Sequence, residues 1–156
     1  MNKQEFEQRV IACMERMHRI SLAILINEAD CKDAVQDTLV RAWLKNDSLK
    51  EPRYFETWLF RILINECRRA LDKQSKHQTV ELSDSLPSAD VPDPDVWHAL
   101  YQLPVHHRLP LVLHHVNGYK IAECAQMLRL PQSTVKWRIH QGKKAFAVLL
   151  GEEDQA

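Results

Sequence analysis

Apolar residues recur at three- and four-residue intervals through most of the chain, the spacing that places them on one side of a helix. Phe6, Val10, Met14, Met17 and Leu25 predict a first helix over about 4–26, a stretch without Gly or Pro. Ala34, Val35, Thr38, Leu39, Ala42 and Trp43 form the inward stripe of a second helix over 31–45. Asp30 is its expected cap, and Asp33 sits favourably at the positive end of the helix dipole. After the polar stretch NDSLKEPR, a third helix turns Phe55, Trp58, Leu59, Ile62, Leu63 and Leu71 inward, with Arg61, Asn65, Arg68 and Arg69 on or beside another face. Three such helices make a small bundle.

The pattern resumes near residue 96. Leu103 and Pro104 open a helix with Leu109, Leu111, Val112 and Val116 on its apolar side. Pro110 removes one of its backbone bonds and is expected to bend it, and Asn117-Gly118 stops it. A short helix over 120–128, the turn Arg129-Leu130-Pro131 and a longer helix over 132–150 read as a helix-turn-helix. At 100° per residue, Val135, Ile139, Gly142, Phe146 and Leu149 of the last helix share one arc, and Ser133, Lys136, Trp137, His140 and Lys144 lie opposite. No segment carries a strand pattern, so the expected fold is all-α.

Charge adds a direction. The formal net charge is zero, but the sum hides a segregation. Residues 1–73 are nearly neutral, residues 74–95 carry one Lys against five acids, and residues 96–150 carry seven Lys or Arg against Glu123 alone. Between Cys124 and Leu150 there are five cations and no acid, so nothing nearby cancels attraction to phosphate. The middle stretch, with Pro87, Pro92 and Pro94 among Ser and Asp, has little to bury and reads as a flexible acidic linker. The expected organisation is therefore 1–73, a linker at 74–95, 96–150, and a tail at 151–156.

Composition narrows the chemistry. Three glycines leave no Gly-rich loop to cradle a nucleotide phosphate. Cys13, Cys31, Cys67 and Cys124 form no CxxC pair, and the adjacent pairs His106-His107 and His114-His115 point to different helix faces. Neither a metal nor a cofactor is expected. The N-terminus lacks the apolar core of a signal peptide, and the longest strongly apolar run, 22–26, is far short of the roughly 20 residues that span a bilayer. A cytoplasmic protein without membrane insertion is expected.

The stretch LPVHHRLPLVLHHVNGYKIAECAQMLRLPQSTVKWRIHQGKKAF resembles the C-terminal promoter-binding region of extracytoplasmic-function (ECF) sigma factors, with a TVKxRxHxxKK-like signature over 134–144. DAVQDTLVRAWLK and YFETWLFRILINECRR are similar to the second conserved sigma region. The resemblance implies a non-enzymatic sigma-70-family initiation factor, with region 2 in the first block and region 4 in the last. Its implied partners are core RNA polymerase and promoter DNA. Relatives are commonly held inactive by an anti-sigma factor, so such a partner is a further expectation.

The resemblance assigns Asp33, Gln36, Asp37 and Arg41 to the polymerase. It assigns Lys50, Arg53, Tyr54, Arg61, Asn65, Arg68 and Arg69 to the melted −10 element, with Trp58 read as core. Gln132, Ser133, Thr134, Lys136 and Trp137 occupy the first turns of the recognition helix, where base edges of the −35 element are reached. Arg138, His140, Lys143 and Lys144 are expected on phosphates. Arg129 stands where the family often has Gly, Pro131 where it often has a Ser cap, and Trp137 where it usually has a small polar residue. The alternative is a stand-alone helix-turn-helix regulator with a helical dimerisation domain.

Overall fold

The computed structural model describes residues 1–76 and 93–151. All regular elements among them are helical. The interior of the expected linker, 77–92, and the tail, 152–156, lie outside the described residues.

Helix α1 spans Lys3–Leu25, its first turn closed by Asn2, whose side-chain oxygen accepts from the Glu5 amide at 2.8 Å. Helix α2 spans Glu28–Leu44. It is capped by Asn27, which accepts from the Asp30 amide at 3.1 Å, and not by Asp30. The two residue types compete for the same role, and Asn27 wins because Ile26 takes φ 68° and ends α1 abruptly. Two short 3-10 turns, Asn46–Ser48 and Pro52–Tyr54, lead into α3, Phe55–Lys76. The helix runs past residue 73, and Gln74 donates to Asp30 at 2.5 Å, so 74–76 belong to the bundle and not to a linker.

The bundle core is made of Phe6, Val10, Cys13, Met17 and Ile20 from α1, Cys31, Ala34, Thr38 and Ala42 from α2, and Phe55, Leu59, Phe60, Leu63, Ile64 and Cys67 from α3. Met14 and Trp43, expected inside, are each 38% exposed. Cys13 fills the inward position beside Met14, and Trp43 lies edge-on against Phe6 at 5.3 Å between ring centroids. All four cysteines are buried free thiols, and burial pushes Cys13 and Cys124 to about 11 and Cys31 to about 12.

The second half begins earlier than its apolar pattern suggests. Helix α4, Pro94–Tyr101, is capped by Asp93 and starts on Pro94, a Pro-at-N1 arrangement that places 93–95 in a helix and its cap. Helix α5, Val105–Leu111, contains Pro110 and continues into a π-turn, Val112–Val116, where Asn117 N–H donates to Val112 O at 2.9 Å. The expected bend thus takes the form of one wide turn. The extra residue rotates the register, burying Leu113 and leaving Val116 exposed, contrary to its expected position.

Helix α6, Ile121–Leu128, and helix α7, Gln132–Leu149, form the helix-turn-helix. Val135, Ile139 and Gly142 are buried as the helical arithmetic predicts, Phe146 is half-buried, and Leu149 is exposed where α7 outruns its neighbours. Gly142 lets α7 approach α5, since a Cβ there would lie 2.9 Å from Leu111 Cδ1 and 3.3 Å from the His107 carbonyl. Arg129 closes α6 with φ 57° and ψ 46°. A left-handed residue other than glycine costs about 1 kcal/mol. Arg129→Gly is therefore expected to raise unfolding stability by roughly that amount, read as a higher urea midpoint at unchanged m-value; a lower midpoint contradicts it.

The two halves pack against each other. Arg108, 5% exposed, donates to the carbonyls of Leu103 at 2.9 Å and Ala23, the latter from α1. Tyr119 donates its hydroxyl to Glu56 at 2.8 Å and sets its ring edge-on to Phe60 at 5.7 Å. Glu56 also pairs with Arg16 at 2.5 Å. Asn117 donates to the Arg16 carbonyl at 3.4 Å, and Arg61 Nε to the Gln126 carbonyl at 2.6 Å. The buried residues of the two halves form one continuous cluster, and the cationic side of α7 stays open to solvent.

Candidate nucleic-acid interface

A cleft of about 470 Å³ lies where the 3-10 turns meet α3, lined by Ser48, Lys50, Tyr54, Trp58 and Arg61, with Gln126 of α6 at its edge. Tyr54 is 46% exposed. Arg53 stacks over its ring at 4.8 Å, and its charge is shared with Glu51 at 2.7 Å. The cleft thus joins an open aromatic face to a flexible cation, Lys50, and a guanidinium, Arg61. Trp58 is only partly core. It packs on Phe55 at 5.9 Å, while its indole N–H donates to Ser48 Oγ at 3.2 Å, and it lines the cleft. Nothing in its apolar spacing announced this second role.

Other side chains expected at the −10 element are spread along α3. Asn65 is exposed one turn beyond Arg61. Arg69 pairs with Glu66 at 3.5 Å. Arg68 belongs to a separate, smaller cleft of about 200 Å³ at the junction of the halves, with Ile24, Leu71, His106, Leu128 and Arg138. Arg68 and Arg61 are therefore not in one cleft.

On α2, Asp33, Gln36, Asp37 and Arg41 are all exposed and share a side of the helix. Arg41 is anchored there, its Nε 2.6 Å from the largely buried Glu66 of α3. The same side carries Val40, 60% exposed, and Leu44, 75% exposed. Sequence reasoning passed over both, although their offsets from Asp33 and Gln36 put them on the polar side.

In α7, Gln132, Ser133, Lys136, Trp137, His140, Lys143 and Lys144 are exposed and Thr134 is half-buried. None of the three lysines has an acidic partner among the described residues. Arg138 is turned to the junction cleft and away from this face. On α5, His107 touches Trp137, ring centroids 6.1 Å apart, and burial, then His106 and Arg138, lower its pKa, so it stays neutral near pH 7. His115 is held down in the same direction by burial, His114 and Lys143.

An open aromatic-and-cation cleft on a bundle is thus combined with an exposed basic helix of a helix-turn-helix, the features of a two-part nucleic-acid interface. Sigma-70 region 2 matches residues 10–77, and Sigma-70 region 4 matches residues 95–146. The chain is 31% identical over 155 residues to the ECF RNA polymerase sigma factor SigM of Mycobacterium tuberculosis, covering 96% of this chain and 79% of that protein. It is 24% identical over 161 residues to RNA polymerase sigma factor SigV of Bacillus subtilis, covering 97% of each. The fold matches the sigma factor RpoE in its complex with the anti-sigma factor NepR from Bartonella quintana, with TM-score 0.83, 22% identity, and 96% and 99% of the two chains covered. It also matches CnrH in complex with the cytosolic domain of CnrY, with TM-score 0.75, 27% identity, and 98% and 92% covered.

The chain belongs to the ECF group of sigma-70-family sigma factors. Such a protein directs core RNA polymerase to promoters and is an initiation factor, not an enzyme. No helix among the described residues is long and apolar enough to cross a membrane.

Proposed function

We propose that the work of initiation divides between the halves as follows, with the chain acting in the cytoplasm. The first half, through α3, holds the polymerase and the opened −10 element, and the second half, from α4 on, holds the −35 duplex, with the chain between Lys76 and Asp93 as the connection. Asp33, Gln36, Asp37 and Arg41 form the polymerase contact, and Val40 and Leu44 supply its apolar part. Lys50, Arg53, Tyr54 and Arg61 receive an unstacked base of the −10 strand, and Asn65, Arg68 and Arg69 follow the strand along α3. Gln132, Ser133, Thr134, Lys136 and Trp137 face base edges of the −35 element, while His140, Lys143 and Lys144 hold its backbone; Arg138, turned to the junction cleft, leaves this set.

The observation that carries this reading is the open cleft at Tyr54, because an exposed aromatic face beside cations is what an unstacked single-stranded base binds. Stacking of one base is worth roughly 1–3 kcal/mol. Tyr54→Ala is accordingly expected to lower open-complex formation about tenfold or more, followed by permanganate reactivity of −10 thymines, with closed-complex binding kept. Equal loss of both complexes contradicts the assignment. At the level of the whole protein, run-off transcription from a genomic library by core enzyme is expected to gain new start sites when this chain is added. The complexes of RpoE with NepR and of CnrH with CnrY support an anti-sigma factor as a further partner here.

A further inference from the structure

Trp137 is the one aromatic side chain of α7 that stands largely in solvent, 58% exposed, whereas Phe146 packs inward. Among the first three turns of α7, where Val135 and Ile139 are buried, Trp137 is the large apolar side chain left in water, which forgoes the burial its neighbours obtain. Its place is specific. Trp137 is the sixth residue of α7, one turn after Ser133, beside Lys136 and three residues before His140, all exposed. The His107 ring braces it edge-on at 72° from one flank, and His107 in turn rests on His106 at 4.4 Å. The indole is thus held at its base and open beyond it.

The major groove offers hydrogen-bond acceptors and donors at every base pair, but only one apolar group, the C5 methyl of thymine. Indole has a broad apolar face, a single donor and no acceptor. Lys143 and Lys144 can fix the register of the helix through phosphates, which carry no sequence information themselves. We propose that Trp137 is a specificity-determining residue that reads thymine in the −35 element by packing its indole on the C5 methyl. This rests on the assignment of α7 to the −35 duplex made above.

The test uses holoenzyme assembled from core polymerase and the full chain. A randomised −35 region is selected for binding, and each thymine of the selected element is then replaced singly by deoxyuridine, which removes the methyl group and nothing else. At one position deoxyuridine is expected to weaken binding about three- to tenfold, the scale of one small apolar contact. Trp137→Ala is expected to lose a similar factor on the thymine duplex and to bind the thymine and uracil duplexes equally, with unchanged thermal unfolding because the side chain is exposed. A selected element without thymine, indifference of the wild-type holoenzyme to every replacement, or thymine preference retained by Trp137→Ala overturns the proposal. Absence of any −35 selectivity overturns the underlying assignment as well, so the two failures are distinguishable. If Trp137→Ala folds poorly, Trp137→Phe, which keeps an aromatic face, is expected to retain part of the thymine preference, and indifference of the unsubstituted chain to deoxyuridine still overturns the proposal.

Discussion

Replacing Lys136 and Lys143 together by glutamate is expected to abolish promoter binding while leaving association with core polymerase intact. Both lysines are exposed on α7, and no acid on that helix or its turn offsets them, so each reversal removes an attraction and adds a repulsion. Losing the phosphate contact of Lys143 also flattens the dependence of log affinity on log salt by about one. Duplex binding across a salt series gives both quantities, and co-purification with core enzyme gives the control. The polymerase contact assigned to α2 lies on a different helix in the other half. Equal loss of both activities contradicts the division of labour.

Arg108→Met is expected to destabilise the protein by about 3 kcal/mol, because it keeps the length of the side chain and removes its donors from carbonyls that have no route to water. Burial lowers the pKa of Arg108 to about 10, which leaves it charged at neutral pH. The guanidinium reaches carbonyls on both sides of the junction, those of Ala23 and Leu103, and its remaining surface lies near the Tyr101 ring at 5.6 Å. Urea unfolding measures the loss. A change below about 1 kcal/mol means that water or a neighbouring donor replaces the guanidinium.

The helices of the bundle and the helix-turn-helix were legible because burial enforces period 3.6, and Met17, Leu59, Val135 and Ile139 sit where the period puts them. The start of α4 was hidden by composition, since the Asp-Pro-Asp that caps it looks like more of the acidic stretch before it. The π-turn after Pro110 was invisible to a fixed 100° step, which is why Val116 was misplaced. In the site, exposed positions of α2 and α7 followed from the same period. The closeness of Trp58 to Ser48, the anchoring of Arg41 by Glu66 and the turning of Arg138 toward Arg68 depend on how helices pack, and no single helix records that. The contact between the halves was missed for a related reason: an Arg such as Arg108 within an apolar run reads as a surface cation until its carbonyl partners are known.

Helix α6 lies against the side of α3 that carries Arg61, and the guanidinium that the melted strand would use is donated to the backbone of Gln126. A guanidinium carries five N–H donors, so Nε–H can stay on the Gln126 carbonyl while the terminal nitrogens line the cleft. A side chain already fixed at one end loses less rotamer freedom when a strand arrives than a free one does. Packing of the two halves thus prearranges a cation on which the proposed strand contact depends, and substitutions along the seam between α3 and α6 are expected to weaken that contact without meeting a nucleotide.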